Sequence, residues 1–126
     1  MTTGAFAEAL QALVSALEEL GSPAAIIGGL AVIAQGVPRS TIDIDATVSA
    51  QAVEPERLAA ALAHHDIGER IENALDLART RHVFLGKHRP TGVAIDVSLA
   101  WLPFEEEAIA GAEMRDVAGV RAYRRL

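Results

Sequence analysis

A chain of 126 residues, 51% hydrophobic and 22% charged, has enough apolar surface for one core but not two. The absence of cysteine excludes disulfides and thiolate metal sites, and nothing argues for an oxidising compartment. Net charge is −6, with 11 acids and 3 bases in residues 1–78 and 6 acids and 8 bases in residues 79–126, so a broad basic surface for extended DNA is missing.

The first predicted element is an amphipathic helix over residues 5–20, because Phe6, Leu10, Leu13, Val14, Leu17 and Leu20 recur at helical spacing and Gly21-Ser22-Pro23 stops it. Residues 24–27 read as a short buried strand, residues 29–35 as a short helix, and residues 36–38 as a break before a strand over residues 41–48. Glu54-Pro55-Glu56 opens a helix running to about residue 64, with proline and acid suited to its first turn. Residues 67–78 fit either a helix or an irregular loop. Residues 81–87 and 93–100 read as antiparallel strands around the turn 88–92. Residues 103–107 resemble a helix start, and residues 114–123 a last short strand with Gly119 in a turn. No basic leader is present and no apolar run approaches the roughly 20 residues that cross a bilayer, so a cytoplasmic protein is expected.

Two strands carry the chemistry. In the first, Ile42, Ile44, Ala46 and Val48 face one way, and Asp43, Asp45 and Thr47 the other. In the second, Val93, Ile95, Val97 and Leu99 make the apolar face, and Asp96 lies opposite with Ala94 and Ser98. If these strands are neighbours, three acids meet on one side of a sheet, an arrangement that needs a cation or a proton to offset repulsion. Hard oxygen donors favour magnesium or manganese.

The order Gly28-Gly29, a short helical segment, Arg39-Ser40-Thr41, Asp43-Ile44-Asp45 and a later strand aspartate resembles the nucleotidyltransferase superfamily with a polymerase-β-like fold. Within it, the Gly-Gly form with this Arg-x-Thr-x-Asp-Ile-Asp run is most similar to AbiEii-type toxins and related bacterial proteins. The resemblance covers roughly residues 24–100. It implies an α+β fold, a small mixed sheet with helices packed on one side. It also implies that Gly28 and Gly29 admit a nucleoside triphosphate at a helix start, and that Asp43 and Asp45 hold two Mg²⁺ (or Mn²⁺) ions. Asp96 would complete the second metal site and help deprotonate an acceptor hydroxyl, Arg39 would meet a phosphate oxygen, and Ser40 and Thr41 would orient it. The implied activity moves a nucleoside monophosphate from the triphosphate to a hydroxyl of RNA, protein or a small molecule. The implied setting is a toxin–antitoxin system with a cognate partner, or a homo-oligomer.

Taken singly, these features have plainer uses. A Gly pair after a strand is most often a turn, and aspartates on a half-buried strand are most often solvated. His64 and His65, adjacent on a helix and about 100° apart, fit a C-terminal role better than joint metal binding. His82 and His88 are expected at the surface, Trp101 in the core, and Arg79, Arg81, Lys87 and Arg89 on an ordinary solvated hairpin. Tyr123 and Trp101 are the candidates for base stacking. AbiEii-like proteins continue into a helical region, whereas this sequence ends at Leu126. A minimal transferase, a trimmed catalytic core and a site completed by another subunit therefore all stay open. So do two alternatives to catalysis, a nucleotide- or metal-binding regulator and a protein-interaction module on the same fold.

Overall fold

A computed structural model describes residues 3–27, 43–50, 53–100, 107, 109–111, 113–117 and 120–124. Helix α1 spans Thr3–Leu20, α2 Pro55–Ala63 and α3 Ala74–Arg81. The strands are β1 Ala24–Ile27, β2 Ile44–Ser49, β3 Ile67–Glu69, β4 Val83–His88, β5 Ala94–Ala100, β6 Glu113–Val117 and β7 Val120–Arg124. They form one sheet in the order β3-β4-β5-β2-β1-β7-β6. The β2–β5 and β1–β7 pairs are parallel and the others antiparallel, so the sheet is mixed and the class is α+β.

Helix α1 forms where the apolar stripe runs. Phe6, Leu10, Leu13, Leu17 and Leu20 are buried, and Gly21 closes the last turn with φ +69° and its N–H shared between the carbonyls of Leu17 and Glu18. A left-handed residue at this position suits glycine, which lacks the Cβ that would crowd it. In α2, Pro55 occupies the first turn, where its missing N–H costs nothing, and Leu58 and Leu62 face inward. On the sheet, the period-two pattern sends Ile44, Ala46, Val48, Ile95, Val97, Leu99 and Phe84 to one side. These join Leu10 and Leu13 of α1, Leu58 and Leu62 of α2, and Ala74 and Ala78 of α3 in one core. The three described helices thus cover one face; on the other, Asp45 is exposed whereas Ala25, Thr47, Ser49 and Ala100 are buried. No described helix is long and apolar enough to cross a membrane.

The structure revises the expected elements in four places. Residues 67–78, open between helix and loop, divide into β3, a turn and the start of α3. Arg81, expected to begin a strand, ends α3, because His82 adopts a left-handed conformation (φ +63°) and caps the helix through its N–H to Ala78 O. The single last strand is a hairpin of β6 and β7, with Val117 opposite Val120. His88, expected at the surface, is 3% exposed. It is the inward residue at the end of β4, two beyond Gly86 and opposite Ile67 of β3. The expected helix over residues 29–35, the break at 36–38, Trp101 and Gly119 lie outside the described residues, as do residues 103–106.

Candidate functional site

The polar face of the sheet is centred on β2 and β5, the fourth and third strands of the seven. Their parallel register sets Asp45 directly opposite Asp96, with Thr47 opposite Ser98 one pleat further on. Paired residues on adjacent strands share a face and stand about 4.8 Å apart at the backbone. Asp43, immediately before β2 and exposed, extends the row by one pleat, about 6.6 Å along the strand. Asp45 is exposed, and the side chain of Asp96 is 24% accessible.

The charges interact as this arrangement requires. Partial burial pushes the Asp45 carboxyl above the ordinary aspartate range, and the negative charges of Asp96 and then Asp43 push it further, while Arg70 opposes them. Three acids on one face are therefore an electrostatic cost in the folded chain. A second unsatisfied group lies beside them. Thr47, 3% exposed, has a buried Oγ1 without a hydrogen-bond partner among the described residues. A buried hydroxyl left unpaired costs about 1–3 kcal/mol, so this face carries both uncompensated charge and an uncompensated polar atom.

Arg70 is the residue that sequence reasoning missed. It follows β3, its N–H donates to Leu85 O at 3.0 Å, and its Nη1 donates both to Gly86 O at 3.1 Å and to Asp96 Oδ1 at 2.8 Å. The guanidinium reaches across β4 from the edge of the sheet to its centre. In the sequence, Arg70 lies in the stretch left open between helix and loop, and only the pairing of β3 with β4 brings it to Asp96. The signal available was a lone base, Arg70, among Asp66, Glu69 and Glu72.

Hard carboxylate oxygens on one face, held in register and mutually repelling, fit a magnesium or manganese ion in donor chemistry. As the side chains stand, no group of three or more His, Cys, Asp or Glu among the described residues already encloses a common metal position. Gly28, Gly29, Arg39, Ser40 and Thr41, the positions that the resemblance assigns to nucleotide binding, lie outside the described residues. The antiparallel partner of Asp45 is Ile27, the residue just before Gly28.

The remaining polar candidates resolve into structural roles. Glu19, at the end of α1, bonds His64 Nδ1 at 2.7 Å and His65 Nε2 at 3.0 Å with its two oxygens, tying α1 to the end of α2. The His64 contact, set against a smaller cost of burial and aided by His65, holds the Glu19 carboxyl below its usual range. Buried His88 shares a 2.8 Å hydrogen bond between Nδ1 and Thr91 Oγ1, and burial lowers its imidazole pKa. Of the basic residues expected on a hairpin, Arg79 and Arg81 lie instead in the last turn of α3, Arg79 engaged by Glu56 at 2.8 Å and Asp76 at 3.0 Å, and the Arg89 guanidinium lies over Gly68, where a Cβ would meet its Nη2. Tyr123 pairs with Met114 in the β6–β7 hairpin. No protein-family model matches the chain, and no curated protein matches it.

Proposed function

We propose that this chain is a metal-dependent nucleotidyltransferase with a polymerase-β-like core, working in the cytoplasm. The observation that carries the reading is the Asp45–Asp96 register pair with Asp43 one pleat away. Residues 45 and 96 lie 51 positions apart in the chain, and no packing requirement calls for bringing two carboxylates together at the centre of a sheet. The raised carboxyl of Asp45 and the unpaired Thr47 hydroxyl support it, since both are relieved by a cation with its oxygen shell.

Asp43, Asp45 and Asp96 are the residues that would hold Mg²⁺ or Mn²⁺. When bound, such ions neutralise charge on phosphoryl oxygens and orient attacking and leaving groups. On this reading, Asp96 takes the proton of the acceptor hydroxyl as that oxygen attacks the α-phosphate of the nucleoside triphosphate and pyrophosphate leaves. Gly28 and Gly29 let the backbone approach the triphosphate, Arg39 binds a phosphate oxygen in a forked geometry, and Ser40 and Thr41 steady it. The acceptor class is a hydroxyl of RNA, protein or a small molecule, in keeping with a toxin–antitoxin partnership.

Incubating the protein with labelled nucleoside triphosphates, Mg²⁺ and cell lysate tests the proposal. A covalent label should appear on an acceptor and disappear in Asp45→Ala; label that persists in that variant refutes the assignment. The Arg70–Asp96 ion pair favours a second reading, a nucleotide- or metal-binding regulator without turnover. It calls for triphosphate and Mg²⁺ binding in calorimetry without any transferred label.

A further inference from the structure

Arg70 is held on three sides. Its backbone is fixed to Leu85, and its guanidinium is shared between the Gly86 carbonyl and Asp96 Oδ1. Both side chains of the ion pair are largely withdrawn from water, 29% exposed for Arg70 and 24% for Asp96, so solvent screens the contact less than it screens a surface pair. A guanidinium stays charged at any working pH and keeps a planar fork. Among the described residues, Asp43, Asp45 and Asp96 carry three negative charges against the one positive charge of Arg70, which leaves two, the charge of a single divalent ion.

A second divalent ion at Asp96 would have to share that carboxylate with the guanidinium, at separations where like charges repel strongly. Asp43 and the outer side of Asp45 have no such competitor among the ion pairs of the described residues. The two ends of the acid row are thus unequal: the β5 end already holds a cation supplied by the chain itself.

We infer that Arg70 is the resident counter-ion of Asp96 and sets the metal stoichiometry of the resting site. One divalent ion is taken at Asp43 and Asp45, and a second is admitted at Asp96 only when the guanidinium lets go. This inference rests on the reading of the acid face as a divalent-ion site. It makes Arg70 a positioning residue that acts through Asp96.

The test is a Mn²⁺ titration of the full chain, with free Mn²⁺ followed by electron paramagnetic resonance. The wild-type protein should take up one ion per chain. Arg70→Gln should take up two, or bind the second at least tenfold more tightly, and adding Asp96→Asn to that variant should remove the gain. Arg70→Lys, which keeps the charge, should remain at one. In wild-type protein, the Arg70 guanidinium resonances should stay unmoved through the first phase of a Mg²⁺ titration and shift in a second, weaker phase. That measurement stands even if Arg70→Gln does not fold. Two ions on the wild-type chain at equal affinity, or guanidinium resonances that move with the first ion, overturn the role of Arg70 and leave the metal site standing. No Mn²⁺ uptake by wild type or Arg70→Gln overturns the metal site as well.

Discussion

Replacing Asp45 with asparagine should make the protein more stable at neutral pH, although Asp45 is the residue on which the proposed activity most depends. The substitution keeps the shape and removes one charge from a row of three. Two unit charges about 5.5 Å apart repel by about 0.8 kcal/mol at the dielectric of water and by about 3 kcal/mol at an effective value near 20. Asp45 is exposed, so the lower end applies, and the substitution also forfeits some attraction to Arg70. A net gain of about 0.5 kcal/mol is expected, which for a domain of this size is a rise in melting temperature of about 2–3 °C. The sign with pH follows from the raised carboxyl. The folded state holds the Asp45 proton at a pH where the unfolded chain has released it, so wild-type stability falls as pH rises from the unfolded value through the folded one. Thermal melts followed by circular dichroism at low salt, at pH 7.5 and pH 4, provide the assay. Asp45→Asn should melt above wild type at pH 7.5, and the gap should narrow at pH 4. Added Mg²⁺ should raise wild type more than the variant. A variant that melts at or below wild type at pH 7.5, or a gap unchanged at pH 4, would show that charge on this face is not what costs the fold its stability.

Other expectations follow from packing and titration. Phe84→Ala, which empties a fully buried position between the sheet and the helices, should cost about 3–5 kcal/mol in chemical denaturation. Gly86→Ala should cost roughly 1–3 kcal/mol, because its Cβ would lie 3.1 Å from Ile95 O and 3.2 Å from Gly68 O, both backbone atoms that cannot turn aside. Burial lowers the imidazole pKa of His88. The unfolded chain therefore takes its proton first, and stability should drop as pH falls from the ordinary histidine range toward the lower folded value, a slope that His88→Gln flattens in pH-dependent melts. The Glu19 carboxyl should titrate lower than an ordinary glutamate by NMR and move toward the usual value in His64→Ala. Its contribution to stability is present above the unfolded value and is lost as pH falls through the folded one.

The apolar period carried most of the architecture. Alternation in Ile44–Ser49 and Ala94–Ala100 fixed which residues face the core, and with them the side on which Asp45 and Asp96 stand. The stripe from Phe6 to Leu20, ended by Gly21, did the same for α1. What the pattern could not supply was pairing. Nothing local in residues 67–70 announces that three residues add a strand to β4 and so deliver Arg70 to Asp96. His88 was misjudged for a related reason. A histidine beside a turn reads as solvent-facing, but its place in the alternation after Phe84 and Gly86 already set it inward. The Glu19 contacts with His64 and His65 join the ends of two helices whose sequences carry no mark of their meeting.

Because β2 and β5 lie in the middle of the sheet, with neighbours on both edges, fraying at the ends of the molecule cannot separate Asp45 from Asp96. Their hydrogen exchange should track global unfolding, the slowest opening that a small domain has. These crowded acids are thus bolted to central strands, and relief has to arrive from outside rather than through breathing of the scaffold.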